Sequence, residues 1–362
     1  MPRLVIKSWP ANPYALGGKS ERRAIRYRAF IPDLIADKQF NLPSNIVTDV
    51  SNAERSIAAL NLNPPNITNL EVLARRLLRA ESLASSRIEG LVLSQRRLAK
   101  AEANESSNRD ETAKSVLNNV CAMEKAIELG CESHTILLND ILLLHKILML
   151  ETTTPDIAGK LRDKQNWIGG NFYNPGRADY VPPPPEVVNE LLYDLVIFIN
   201  RTDLSPVVHT ALIHAQFETI HPFADGNGRV GRALIHVALR RHGITNRYVP
   251  PVSLVLASDI KNYVIGLTAF REGSFVNWIQ IFAKALHKAA IKASELSVKL
   301  AQLQELWRRR ASYPRNKSST DSLIEELPAY PIITLATAQK ILNRSKQAVN
   351  EAITNLANCG VI

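Results

Sequence analysis

The chain predicts an all-α fold: a helical core with a small β-hairpin flap, followed by a C-terminal helix-turn-helix. Three observations lead there. Apolar residues recur at helical spacing through most of 68–310, paired extended patterns are confined to about 164–185, and two short capped helices close the chain. With 362 residues there is room for two or three domains, and 46% hydrophobic against 22% charged residues is the balance of a globular protein.

Residues 1–65 read as an extended region with one short helix, because Pro10, Pro13, Pro32, Pro43 and Pro64-Pro65 keep interrupting helical patterns. From Thr68 the pattern changes. Thr68 and Glu71 form a capping box, Leu70, Leu73, Leu77, Ala80, Ala84 and Ile88 share one face, and Gly90 suits the position past the helix end. A polar loop over Asn104 to Asp110 precedes helices at 111–129 and 135–150. Two extended pieces around Gln165–Gly170 and Asp179–Pro185, joined by Asn174-Pro175-Gly176, predict the flap. Helices follow at 186–201, 205–220, 227–241, 257–271 and 274–309. Residues 311–329 read as a linker with a short helix. In 330–362, Thr334 and Ser345 cap two helices around the turn Asn343-Arg344-Ser345, the spacing of a helix-turn-helix and the start of a winged helix.

The stretch HPFADGNGRVGR, His221 to Arg232, concentrates chemistry. Gly226 and Gly228 permit positive φ and close approach, so successive N–H groups can converge on an anion. A helix starting near Asn227 adds its free N–H groups and its dipole. Arg229 and Arg232, three apart, share a face from which guanidinium forks reach phosphate oxygens. Asp225 offers a hard oxygen to Mg²⁺, and His221 can take a proton near neutral pH. His209 and His214 read as satisfied structural histidines.

This stretch resembles the motif of the Fic family, HxFx(D/E)GNGRxxR, and meets every fixed position. The resemblance covers roughly 25–300. It implies an all-α catalytic core at 111–310, behind an N-terminal region at 1–110 and ahead of the linker at 311–329 and the helix-turn-helix at 330–362. It also implies transfer of AMP from ATP to a Ser, Thr or Tyr hydroxyl of a target protein or of the chain itself. His221 would be the base. Asp225 would hold Mg²⁺. Gly226, Asn227, Gly228, Arg229, Gly231 and Arg232 would hold phosphates, with Gln216 near the nucleotide. Relatives that transfer phosphate carry lysine in place of the second motif glycine, which here is Gly228.

A second motif gains meaning from the same resemblance. Ser85, Glu89 and Gly90 fit (S/T)xxxE(G/N), an inhibitory helix (here about 68–90) whose glutamate pairs with the second motif arginine, Arg232, in the place of the γ-phosphate. The flap would dock an extended target segment by strand addition, with Val181 and Pro182 near the nucleotide. A homodimer follows from family habit. The alternatives are a DNA-binding regulator that uses Lys346, Gln347 and Asn350, and a related enzyme with another nucleotide or a phosphocholine donor. The +10 net charge suits a nucleotide, an acidic protein or DNA. Without an apolar run fit for a signal peptide or a membrane span, the sequence predicts a cytoplasmic protein with no membrane partner.

Overall fold

The computed structural model describes every residue except 1, 15, 17, 63–69, 104–109, 132–134, 151 and 153. The expected cap Thr68 and most of the expected loop at 104–110 therefore lie outside the described residues. What is described is predominantly helical.

The N-terminal region is extended with one short helix as far as Ile31 and departs from that reading only beyond it. Strands β1 (Arg3–Trp9) and β2 (Ile25–Ile31) pair antiparallel, with Arg3 opposite Ile31 and Trp9 opposite Ile25. Between them runs the one-turn helix α1 (Lys19–Arg22). A full helix, α2 (Ser44–Leu62), then buries Ile46, Val50, Ala53, Ile57 and Leu60. Those residues recur every three or four positions, a stripe that the flanking prolines hide but do not interrupt.

Helix α3 (Leu70–Ile88) ends as glycine-terminated helices do. Gly90 takes φ +81°, while the N–H groups of Gly90 and Leu91 donate to the carbonyls of Arg87 and Ser86. The short α4 (Gln95–Ala103), which sequence spacing does not single out, precedes α5 (Glu111–Cys131) and α6 (Leu138–Met149). Helix α7 (Pro185–Ile199) leads into the central pair, α8 (Pro206–Ile220) and α9 (Asn227–Arg241). Every residue of α8 from Val207 to Ile220 is buried, as is α9 from Asn227 to Leu239. A helix buried all round must be surrounded by others. The short α10 (Val252–Leu256), α11 (Ile260–Arg271) and the 36-residue α12 (Phe275–Arg310) complete the bundle, with Trp278 of α12 donating its indole N–H to the Ala211 carbonyl at 2.7 Å.

Helices α3, α9 and α10 also meet through polar groups. Buried Glu81 pairs with His236 Nε2 at 3.0 Å and accepts from the Ser253 hydroxyl at 2.5 Å and from its N–H at 2.7 Å. This fixes α3 against the core well away from its C-terminal end.

The segment expected to be a linker is part of a packed unit. Its helix α13 (Ser319–Glu326) supplies Leu323 and Ile324 to a small core shared with Ala338 of α14 (Leu335–Leu342) and Val349, Ala352 and Leu356 of α15 (Lys346–Asn358). Asn343 turns the chain between α14 and α15 in the left-handed region, and Thr334 and Ser345 cap the two helices. The unit rests on α3: Arg75 lies 4.7 Å from the Tyr330 ring centre, and Arg79 donates to the Ala329 carbonyl. No helix among the described residues is long and apolar enough to cross a membrane.

Candidate active site

The six-residue connection between α8 and α9 is held in shape by its own polar groups. His221 ends α8 in the left-handed region (φ 49°, ψ 61°), unusual for a residue with a side chain, and its N–H still closes the last helical turn onto Phe217. Phe223 is completely buried and stacks on His145 of α6 with ring centres 3.7 Å apart. His145 Nδ1 accepts from the Gly159 N–H at 3.0 Å, so its proton sits on Nε2 and is donated to the Asp225 carbonyl at 3.1 Å.

Asn227, expected to hold phosphate, uses its side chain on the protein. Its Oδ1 accepts from the Phe223 N–H and its Nδ2 donates to the Phe223 carbonyl, both at 2.8 Å. The side chain is the clasp of the loop. What remains for an anion is backbone: Gly226 at φ 77° opens α9 and no side chain caps that helix, so its first N–H groups have no side-chain partner. Asp225 is exposed beside them and accepts from the Gly226 N–H at 2.6 Å through one carboxylate oxygen. The other oxygen fits a cation of the Mg²⁺ kind, which typically takes one or two carboxylates plus substrate phosphates. Among the described residues no group of three or more His, Cys, Asp or Glu side chains gathers into a metal cage.

Both motif arginines are buried. Arg229 donates to the Ser115 hydroxyl of α5 at 2.8 Å, and its Nε has no partner. Arg232 donates its Nε to the Ser85 hydroxyl and its Nη2 to the Ser85 carbonyl, both at 2.9 Å, and pairs with Glu89 Oε1 at 2.7 Å. Burial opposes charge on Glu89, but Arg232, with Arg229 and His221 adding, outweighs it and holds the carboxyl below its ordinary value. Gly228 makes the pair possible, since a Cβ there would overlap Glu89 Oε1. Gly231 does the same for Glu218, whose carboxyl occupies the space of the missing Cβ.

The histidine is held in its neutral form. Burial, then the nearby Arg271 charge, against an opposing pull from Glu89, brings the His221 pKa down to about 4, so it is neutral at pH 7. Its carbonyl is gripped by Arg162 Nε at 2.8 Å. Arg162 also donates to the Pro183 carbonyl at 2.6 Å, tying the end of α8 to the segment ahead of α7. Asn166 donates to the Phe223 carbonyl at 2.9 Å from the other side. Sequence reasoning missed His145, Arg162, Asn166 and Ser115. The first three meet backbone carbonyls distant in the chain and Ser115 meets the Arg229 guanidinium, contacts that leave no local pattern.

Two expectations change. Gln216 is buried and spends its amide on the Asp33 carbonyl at 2.8 Å, away from the loop. In the flap, the two extended pieces meet in one antiparallel bridge, Ile168 to Tyr180, rather than in paired strands, around a short turn at Pro175–Arg177. Val181 and Pro182 are buried at its base with their carbonyls taken, by the Phe30 N–H at 2.9 Å and by Gln165 Nε2 at 2.9 Å. They are anchors, so neither carbonyl is left for strand addition. The exposed part is the tip, where Phe172 is 99% accessible. His209 and His214 are structural, the latter between the Gly231 carbonyl at 2.9 Å and the Tyr263 hydroxyl at 2.7 Å.

Fold and loop together define a class: an all-α bundle whose central helix pair presents an uncapped helix start beside a neutral histidine. The chain belongs to the Fic/DOC family, with the Fic/DOC family model matching residues 135–239 and the Fic/DOC family N-terminal model matching residues 47–128. It is similar to protein adenylyltransferase fic-1 of Caenorhabditis briggsae, 32% identical over 155 residues, 40% of this chain and 28% of the relative. A probable protein adenylyltransferase of Aquifex aeolicus (strain VF5) is 37% identical over 100 residues, 27% of this chain and 29% of the relative. The chain thus spans under a third of the length of these two curated relatives. In fold it is similar to a Fic family protein from Desulfovibrio desulfuricans G20 (TM-score 0.58, 20% identity, 86% of this chain and 90% of the other). It is also similar to Fic-1 from C. elegans (TM-score 0.54, 20% identity, 70% and 74%).

Proposed function

We propose that this protein transfers AMP from ATP to a hydroxyl side chain of a protein, itself included, and that Glu89 restrains the reaction. The observation that carries this reading is the 2.7 Å pair between Glu89 and Arg232 beside an uncapped helix start and a neutral histidine. The adenylyltransferase relatives support the reaction class. The N–H groups opening α9 would receive the phosphate chain, and His221 would take the proton of the attacking hydroxyl. Arg229 and Arg232 would neutralise phosphate charge, with Asp225 holding Mg²⁺ against the leaving pyrophosphate. While Glu89 occupies Arg232, the last phosphate loses its arginine.

Glu89→Gly is expected to increase auto-modification at least about tenfold, the worth of one charge-assisted contact. Intact-mass and peptide mass spectrometry after incubation with ATP and Mg²⁺ would read it as added AMP. No modification with ATP would overturn the proposal, and modification only from a phosphocholine or other nucleotide donor would replace its donor.

A second role is proposed for the C-terminal unit, because Arg344, Lys346, Gln347 and Asn350 all stand exposed around the start of α15. Reversing Arg344 and Lys346 to Glu is expected to weaken duplex DNA binding about tenfold or more at fixed salt in a mobility shift, without changing AMP transfer. Unaltered binding, or none to begin with, would remove the role.

A further inference from the structure

We propose that the Glu218 carboxylate is the positioning partner of His221, set behind the imidazole to hold the charge that develops there. The inference rests on the reading of His221 as the base. Its ground is a pair of orphaned atoms. His221 Nδ1 and Glu218 Oε1 are both buried and without a hydrogen-bond partner. They belong to residues one turn apart at the end of α8, and Glu218 Oε2 lies 3.9 Å from His221 Nδ1. Oε1 is turned towards Gly231, so Oε2 is the oxygen that faces the ring, and a buried carboxyl and imidazole left this short of partners are costly unless something is gained by their meeting.

The surroundings are built for the carboxyl. Gly231 of α9 lacks the Cβ that would overlap Glu218 Oε1, and such a Cβ would also press on the Phe217 ring at 2.9 Å. Arg232 faces Glu218 but spends Nε and Nη2 on Ser85 and Glu89. Tyr263 gives its hydroxyl to His214 at 2.7 Å. The left-handed backbone of His221 turns the chain sharply at the end of α8. With Nδ1 buried, the edge bearing Nε2 is left for substrate.

In the step itself, Nε2 takes the proton of the attacking hydroxyl as its oxygen bonds to the α-phosphorus. The bond from that phosphorus to the bridging oxygen breaks, and pyrophosphate leaves with the electron pair. The ring now carries a positive charge with Nδ1–H directed at Glu218. A small ring rotation closes the 3.9 Å gap, as resting-state catalytic contacts often tighten only on reaction.

The pH dependence has a definite sign. Burial first, then Arg232 and Arg271 opposing and Glu89 assisting, raises the Glu218 pKa to about 7, and Tyr263 also faces it. His221, facing Arg271, Glu89, Arg162 and Glu218, stays neutral above about 4. The active pair therefore forms as pH rises through the Glu218 value. Removing Glu89 moves that limb lower, because its charge no longer resists ionisation of Glu218.

The test uses the full chain carrying Glu89→Gly, with and without Glu218→Gln. The amide keeps the shape and leaves the Glu218 backbone carbonyl, which also faces the ring, unchanged. We expect kcat/KM for AMP transfer to fall roughly 10- to 100-fold and the rising limb to vanish. Equal activity with the limb intact would overturn the proposal. Should Glu218→Gln not fold, the His221 ¹⁵N shifts of the unaltered chain decide: a step following the Glu218 titration supports the pair, and its absence rejects it. If Glu89→Gly itself transfers no AMP, the reaction assigned above fails, while the ¹⁵N titration still tests the contact.

Discussion

His221→Ala, placed in the Glu89→Gly background, is expected to lower AMP transfer by roughly 10²- to 10⁴-fold, the usual contribution of a positioned general base. The loss should fall on turnover, because alanine leaves the N–H groups of α9 in place for the phosphates. Folding should survive. The backbone contacts that hold position 221, its N–H to Phe217 at 2.9 Å and its carbonyl from Arg162 at 2.8 Å, do not involve the ring. The check is a labelled-ATP assay beside equilibrium binding of ATP and a thermal melt. Retained turnover would remove His221 from the chemistry, and loss of ATP binding with an unchanged melt would make it a binding residue.

Asn227→Ala is expected to act through stability first. The side chain exchanges two 2.8 Å hydrogen bonds with the Phe223 backbone inside the protein. Alanine leaves one buried N–H and, apart from its bond to Asn166, one buried carbonyl poorly satisfied. At about 1–3 kcal/mol for each unsatisfied group, and allowing for non-additivity, the expected cost is roughly 2–4 kcal/mol. A melting temperature lowered by several degrees would show it. A residue that only touched phosphate would leave the melt of the ATP-free protein unchanged, so that result would return Asn227 to the ligand-binding set.

The long buried helices were legible because their apolar periodicity is continuous. The span expected at 227–241 matches Asn227–Arg241, and those expected at 186–201 and 205–220 lie close to Pro185–Ile199 and Pro206–Ile220. The hairpin of β1 and β2 was not legible, since prolines surround it and Leu4 and Ile6 point to solvent. At the site, residue types announced what the loop could bind but not how it is braced. Asn227 is polar in a phosphate-like motif, yet its partners are two backbone atoms four residues back. His145 and Arg162 are placed by tertiary packing alone, on Asp225 and on His221. Gln216 sits five residues before His221 in sequence, but α8 rotates it towards Asp33. Nearness in sequence on a helix that is buried all round says little about which neighbour a side chain meets.

Helix α3 is secured at Tyr330 and Ala329, at the Glu81 cluster, and again at Ser85 and Glu89. Of these, the Glu89 contact alone belongs to an exposed side chain that can let go by rotation, which takes picoseconds to nanoseconds, whereas moving the whole helix means breaking all of them over microseconds or longer. Two clocks therefore govern access to Arg232. On the function proposed above, a nucleotide that merely outcompetes Glu89 would meet the fast one, and an effector that pulls on the C-terminal unit would wait for the slow one.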